Sequence, residues 1–373
     1  MKRDMTTLGE LISLQRGYDL PESKRRAGSV PVIGSAGITG YHDAAKARGP
    51  GVTIGRSGAS FGKVFFVRED YWPHNAALFV TDFKGNDPLF VRYLLESQDF
   101  SSLNSGSAQQ SLNRNIVYGL RIRKTPLPEQ RRVAGILSAY DELIENKQRR
   151  IRILEEMARA LYREWFVEFR FPGHAKARRV TSTRGEIPEG WETRHLKQVS
   201  TVVYGFPFKS KAFNAEGTGM PVVRIRDIPK GFSQTFTDEE ADGKYHIKDG
   251  DILVGMDGDF HMCIWSGGHA YQNQRVARFE SDDEIGRFHL FFALEKPIQE
   301  FNRAIVGTTV GHLGDMHIKT IQIAWPPAKL RRKAHEILDP MSDQIITLER
   351  GIRNLRKTRD LLIPKLLSDN AFI

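Results

Sequence analysis

The chain of 373 residues contains one cysteine, Cys263. A single thiol excludes an intramolecular disulfide and fits a reducing compartment. With only His261 beside it and no further thiol, it also argues against a structural zinc site. No stretch approaches the run of about 18 apolar residues that a membrane span needs. The opening MKRDMTTLGELISL is basic at its start but lacks the continuous apolar segment of a secretion signal. A cytoplasmic location is the expectation. Motifs for chemistry are equally scarce. Gly58-Ala59-Ser60-Phe61-Gly62-Lys63-Val64 looks like a phosphate-binding loop, but Ser57 stands where its first glycine belongs and Val64 replaces the magnesium-binding hydroxyl. Gly34, Gly37 and Gly40 are not spaced as a dinucleotide fingerprint and read as turns. Asp249/Asp251 and Asp257/Asp259 suggest a two-metal site by spacing alone. They fall in glycine-rich contexts where aspartate is expected for turn geometry. No nucleophile elbow collects the scattered serines. The expectation is a chain without catalytic residues, bound metal or cofactor.

What the chain does have is positive charge. Fifty-five Lys and Arg against 45 Asp and Glu give a formal net charge of +10 and a pI near 9.6. An acidic partner follows, usually nucleic acid; ribosomes and membrane surfaces are other acidic partners. With 40% apolar residues the chain can bury a core, and its length suggests two or three domains.

It also has a seven-residue rhythm, twice. Leu137, Ile144, Ile151, Ala158 and Trp165 interleave with Tyr140, Lys147, Leu154 and Leu161. In the same frame, 201 residues later, Leu338, Ile345, Ile352, Arg359 and Leu366 interleave with Met341, Leu348, Leu355 and Leu362. Apolar first and fourth heptad positions sustained this long form a coiled-coil seam. Two segments in one frame predict an intramolecular helix pair. The two charged exceptions, Lys147 and Arg359, either fix the register or reach past the seam into water.

The globular stretches repeat as well. Residues 1–125 carry β segments at Val30–Ile33, Gly51–Ile54, Lys63–Val67 and Ala77–Val80, a short helix at Leu89–Glu96, and a last strand at Gly119–Arg123. Pro126 and Pro128 then start a helix that predicts about 60 Å of rod up to Phe169. Pro172 and Gly173 stop it. Residues 170–184 hold Arg170, Lys176, Arg178, Arg179 and Arg184 and no acid. They read as a solvated linker or as a phosphate-contacting segment. A second unit follows with the first unit's order of features. Gly17-Tyr18 is matched by Gly205-Phe206, Thr53 to Gly58 by Leu253 to Gly258, and Asn104 to Leu112 by Ile305 to Leu313, at offsets of 188, 200 and 201 residues. Pro340 lies inside the second heptad frame and predicts a kink, or a short helix and a longer one divided near Ser342; Pro364 points the same way.

Several stretches resemble the specificity subunit of type I restriction-modification systems. They are Pro73-His74-Asn75-Ala76-Ala77-Leu78-Phe79-Val80, Leu127-Pro128-Glu129-Gln130-Arg131-Arg132, Trp165-Phe166-Val167-Glu168-Phe169, Ile187-Pro188-Glu189-Gly190-Trp191 and Leu361-Leu362-Ile363-Pro364-Lys365. Pro326-Pro327-Ala328-Lys329 departs from the Pro-Glu-Gln form. The resemblance implies an α+β architecture, with two repeated mixed α/β target-recognition domains joined by two long helices in an antiparallel coiled coil with pseudo-two-fold symmetry. Its boundaries fall at 1–126 for the first recognition domain, 127–171 for the first helix, 172–190 for the basic linker, 191–326 for the second recognition domain and 327–373 for the second helix. It implies a DNA-recognition role with a bipartite double-stranded target. Methyl transfer from S-adenosylmethionine and ATP- and Mg-dependent cleavage would belong to partner subunits, two for modification and others for restriction. The helix pair would set the spacing between half-sites and dock those partners through Leu137, Ile144, Ile151, Leu154, Leu161, Trp165, Ile345, Leu348, Ile352, Leu355 and Leu362. A self-contained DNA-modifying enzyme and a coiled-coil scaffold without DNA are the alternatives.

Within that reading the DNA-facing candidates lie on loops. In the first domain they are Lys46, Arg48, Arg56, Ser57 and Lys63, then Gln109, Gln110, Asn113 and Arg114. In the second they are Lys209, Lys211, Arg224, Arg226, Asp257, Arg275, Thr308 and His312. Lys and Arg suit phosphates, Arg suits guanine, and Asn and Gln suit adenine.

Overall fold

Three nearly continuous apolar runs build the first unit, which reaches to Ile144 and takes in the chain from Leu355 onward. Val30–Gly34, Gly51–Gly55 and Ala77–Asp82 are strands whose residues are largely buried on both faces. In the computed structural model, which describes residues 4–104, 111–182, 185–281, 285–305 and 311–367, they fall into two sheets. One orders Ser13–Arg16, Ala77–Asp82, Gly51–Gly55 and Val64–Val67, antiparallel throughout. The other places Val30–Gly34 between Gly37–His42 and Trp72–Pro73, antiparallel to the former and parallel to the latter. Met5–Thr7 pairs with Arg121–Arg123 across the ends of the domain. The helix Pro88–Glu96 starts where Asp87 accepts from the Phe90 N–H at 2.9 Å, with Pro88 in its first turn. It sends Phe90, Val91, Leu94 and Leu95 into a core shared with Leu8, Ile12, Val52, Ile54 and Leu78.

The first long helix, Leu127–Tyr162, would extend about 54 Å. Its Pro-Glu-Gln start is an anchor. Gln130 is buried; its Oε1 accepts from the Asp87 N–H at 2.9 Å, while Nε2 donates to Asn86 Oδ1 at 2.7 Å and the Thr125 carbonyl at 2.8 Å. Glu129 pairs with Arg123 at 2.9 Å. Every polar atom of the Gln130 amide is thus tied to the globular unit, and Val133, Ala134 and Leu137 follow it into the core. Leu362, Ile363, Leu366 and Leu367 of the second long helix pack on that same core.

The second unit spans Glu145 to Asn354. One sheet orders Thr201–Tyr204, Val276–Glu280, Ile252–Gly255 and Met262–Ile264; the other orders Phe213–Asn214, Phe236–Thr237, Met220–Val223, Ala270–Gln272 and His246–Ile247. Met220–Val223 and Ala270–Gln272 are parallel, as Val30–Gly34 and Trp72–Pro73 are in the first unit. Glu192–His195 pairs with Gln322–Trp325, so Arg121-Ile122-Arg123 and Gln322-Ile323-Ala324 hold the same place. The basic stretch is more structured than an open linker. Arg179–Ser182 pairs antiparallel with Gly185–Pro188, which satisfies their backbone groups locally, and Arg170 is bound to Glu164 at 2.6 Å. Arg184 lies outside the described residues.

The first long helix leaves its α geometry through a π turn at Arg163–Val167. Trp165 and Phe166 are buried there, and Phe166, Phe169 and Phe171 surround Trp191 at ring separations of 6.0, 5.1 and 5.5 Å. The two aromatic stretches recognised in the sequence are therefore the two sides of one contact. In this unit Ile151, Leu154, Leu161 and Trp165 share a cluster with Leu338, Met341 and Ile345. Lys147 lies against Gly351, while Glu155 and Arg159 line one cavity with Ser342, Ile345 and Glu349, so rising numbers on one helix meet falling numbers on the other and the helices pair antiparallel here. Leu348 and Ile352 are buried; in the first unit Ile144 is buried and Leu355 half-buried.

The second long helix, Ala328–Leu367, is uninterrupted. The division expected near Ser342 is not present. Pro340 removes one intrahelical bond, but contacts on either side hold the backbone. The Arg287 N–H donates to Asp339 Oδ1 at 3.1 Å, Arg287 Nη1 donates to the buried Ser342 Oγ at 2.5 Å, and Leu338 is fully packed. Lacking the Pro-Glu-Gln form, this helix starts on Arg331, which donates to the Pro326 carbonyl at 2.8 Å and lies over the Trp325 ring at 4.2 Å.

Candidate nucleic-acid interface

Each unit builds one loop cluster on the same backbone frame. In the first unit the N–H groups of Gly17 and Tyr18 donate to the Ala77 and Pro73 carbonyls, at 3.0 and 2.8 Å. Gly55 donates to Lys63 at 2.7 Å, Arg56 to Ala76 at 3.0 Å, and Leu112 back to Arg56 at 3.0 Å. In the second unit Gly205 and Phe206 donate to Val276 and Gln272, at 3.1 and 2.9 Å. Gly255 donates to His261 at 2.9 Å, Met256 to Arg275 at 2.9 Å, and Leu313 to Met256 at 2.7 Å. The lone bridges agree, with Ser57 opposite Ser111 in one unit and Asp257 opposite His312 in the other. Gly17 and Gly205 show why glycine is required. A Cβ at either would lie 2.2 Å from the His74 carbonyl oxygen or 2.0 Å from that of Asn273.

The frame presents arginine in both units, from opposite partners of one hydrogen bond. Arg56 supplies it in the first, across from Ala76; Arg275 supplies it in the second, across from Met256. Around Arg56, Arg16 Nε donates to the Asn75 carbonyl at 3.3 Å, and Arg56 Nη1 reaches the same oxygen at 3.5 Å. Partial burial, and then the charge of Arg16, pull Arg56 below the usual guanidinium value. Two cations sharing one neutral acceptor leave donors available for an anion or a base edge. The Asn75 side chain donates to Asp19 at 2.6 Å.

In the second unit Arg224, Arg226, Asp257 and Arg275 line one open pocket of about 720 Å³, together with Asp259, His261 and Asn273. Arg224 is engaged by Asp227 and Thr235, whereas Arg226 is exposed. Asp257 has both oxygens occupied: Oδ1 faces His312 Nδ1 at 2.6 Å and Oδ2 faces Arg275 Nε at 3.2 Å. Asp249 and Asp251 serve turns, accepting from the Gly268 and Lys248 N–H groups, and among the described residues no cluster of metal-ligating side chains occurs.

Other candidates are placed apart or used locally. Lys63, Arg48, Lys209 and Lys211 are exposed, and the two last flank or lie in the short turn Ser210–Ala212 outside the pocket lining. The Lys46 amine lies over the Trp72 ring at 5.5 Å. Ser57 is half-buried, its N–H directed to Ser35 Oγ at 3.4 Å. Asn113 caps a helical turn by accepting from the Asn115 N–H at 3.0 Å, and Arg114 donates to the Leu14 carbonyl at 3.5 Å. Gln109, Gln110 and Thr308 lie outside the described residues. Arg16, Asn75 and Asn273 were missed as candidates; the signal that could have found Asn273 is its alignment with His74, each bridged to the residue after the frame glycine.

Comparison with known proteins meets this geometry. The profile of the type I restriction modification DNA specificity domain matches residues 2–156 and again 188–356. The chain therefore belongs to the family of type I restriction-modification DNA specificity proteins. Within it, this chain is a specificity subunit, a DNA-recognition component. It is 25% identical over 299 residues to the type I restriction enzyme MjaIX specificity subunit of Methanocaldococcus jannaschii, covering 74% of this chain and 68% of that one. It is 31% identical over 160 residues to the type I restriction enzyme EcoBI specificity subunit of Escherichia coli, covering 43% and 34%. The crystal structure of a type I restriction-modification S subunit from M. genitalium has the same fold, with a TM-score of 0.68 over 99% of this chain and 97% of that chain at 19% identity. No helix among the described residues is long and apolar enough to cross a membrane.

Proposed function

We propose that this chain reads a bipartite double-stranded DNA target in the cytoplasm, one half-site with each loop cluster, and that its long helices dock two modification subunits and, where present, restriction subunits. The observation that carries this reading is the duplicated backbone frame, each copy offering an arginine at the same place. Phosphate contacts from exposed Lys46, Arg48, Lys63, Lys209, Lys211 and Arg226 supply most of the affinity, and the framed arginines supply base selectivity. S-adenosylmethionine, ATP and magnesium belong to the partner subunits, and this chain holds none of them.

The test is to express the chain with the modification subunit encoded beside it and map methylated sites across the genome. A split motif is the expected result. Exchange of residues 1–125 for those of a relative then changes one half of the motif and leaves the other intact. Simultaneous change of both halves would overturn the assignment of one half-site to each unit.

A further inference from the structure

Asp257 stands at the centre of the second cluster, and its surroundings argue against its reading a base. A carboxylate that reads cytosine must offer a lone pair toward the groove. Here one oxygen faces His312 Nδ1 at 2.6 Å and the other faces Arg275 Nε at 3.2 Å. The carboxylate is also the most enclosed of the three: its side chain is 28% exposed, against 52% for Arg275 and 44% for His312. The aspartate lies behind and the two nitrogenous side chains lie in front.

The backbone reinforces this order. Asp257 and His312 are bridged across two loops, and the Arg275 carbonyl is held by the Met256 N–H one residue away from Asp257. Three separate chain segments therefore fix one carboxylate, which fixes one guanidinium. Nε is the guanidinium nitrogen nearest the carboxylate, and among the described residues no hydrogen bond ties either Nη group to a protein acceptor. That end of a guanidinium, with two parallel N–H donors, matches the O6 and N7 acceptors of guanine. Adenine offers a donor at the corresponding position, and the single N–H of a histidine cannot make the same fork. Holding the guanidinium in advance reduces the ordering cost of binding and penalises a wrong base.

We infer that Arg275, oriented by Asp257, reads a guanine in the half-site of the second unit, with Asp257 acting as a positioning residue that touches no base. This rests on the reading of the chain as a bipartite DNA reader. In the first unit the frame lacks this support, because Ser57 and Ser111 occupy the places of Asp257 and His312.

The experiment maps methylation by the full chain with its modification subunit, for wild type, Arg275→Ala, Arg275→Lys and Asp257→Asn. The second unit's half-site is first assigned as the half that changes when residues 191–326 are exchanged. Wild type is expected to require guanine at one position there. Arg275→Ala should lower discrimination at that position by about tenfold or more, and Arg275→Lys should also relax it, because an ammonium cannot form the fork. Asp257→Asn should relax the same position and no other, whereas a merely structural role would lower methylation at every site alike. Retention of all remaining motif positions shows that each variant is folded. Uniform loss with Arg275→Ala makes Arg275 a phosphate contact and overturns the inference. Relaxation by Asp257→Asn at a cytosine elsewhere makes the aspartate a reader and overturns it too. A wild-type chain that directs no methylation to a split motif removes the functional reading itself, before any variant is compared.

Discussion

Arg359 Nη1 donates to Asp141 Oδ1 at 2.5 Å in the first unit, joining the last turns of one long helix to the first half of the other. The other carboxylate oxygen accepts from the Tyr93 hydroxyl at 2.7 Å and faces Arg92 at 2.8 Å. The charged exception at the C-terminal end of the seam is thus a register contact: a shift by one turn would separate the guanidinium from Asp141 and leave it with Asp360 of its own helix. Its counterpart behaves differently. Lys147 lies along Gly351 in the second unit, its Nζ 3.1 Å from where a Cβ there would sit, so the lysine stem covers a glycine, and among the described residues it makes no ion pair.

Replacing Asp141 by alanine should therefore destabilise the first unit by about 2 kcal/mol, since Arg92, Arg359 and the Tyr93 hydroxyl all lose a partner. Hydrogen exchange over residues 127–144 should report this as faster opening, with residues 250–280 unaffected. The same site carries a pH dependence. Burial raises the Asp141 pKa, but the hydrogen bonds from Tyr93 and Arg359, with the charge of Arg92, outweigh it and hold the group below its ordinary 3.8. The sign follows: this contribution is present above the unfolded value and is lost as pH falls through the lower folded one. Asp141→Asn should remove that part of the acid limb.

His289 predicts a second, separate pH effect. It is buried and stacked on Phe166 at 4.3 Å; burial, then the charge of Arg331, push its pKa down from 6.5 to about 3. Below pH 6.5 the unfolded chain takes up a proton that the folded unit refuses. Stability of the second unit is full above that pH and falls as pH drops towards the folded value, by at most about 1.4 kcal/mol per unit. His289→Phe should flatten this slope between pH 6.5 and 5 in urea unfolding. An unchanged slope would place the titration elsewhere.

Gly17→Ala and Gly205→Ala should act alike in their separate units. Each pushes a methyl group into a backbone carbonyl, at 2.2 and 2.0 Å, and each should cost about 1–3 kcal/mol or more. Limited proteolysis should show the first unit loosened by one and the second by the other. Equal tolerance of alanine at both positions would mean that the shared frame is not tightly specified.

Arg56→Ala and Lys63→Ala should separate two kinds of contact in the first unit. The arginine variant relaxes one motif position in methylation mapping. The lysine variant weakens binding to all sequences and lowers the dependence of log affinity on log salt by about one. Identical behaviour of the two would make Arg56 a phosphate contact.

Sequence alone determined the two long helices, the existence of two repeated units and the stretches that start and end the helices. Heptad spacing, proline punctuation and turn glycines are local signals that survive divergence. It also located Arg56, Asp257 and His312 on matching loops, because the 200- and 201-residue offsets run through the frame, and it named Arg275 only as added charge nearby. Tertiary structure decided how those side chains are held. Whether Asp257 faces outward or is held between Arg275 and His312 depends on three segments far apart in the chain, and no local spacing encodes it. The same holds for Pro340. By itself it predicts an interrupted helix, yet Arg287, more than fifty residues earlier, ties down the turns on both sides. Asn113 reads as an adenine contact by residue type and is a helix cap by geometry. Local pattern set where the elements lie; long-range contacts set which side chains are tied into the fold and which are left exposed.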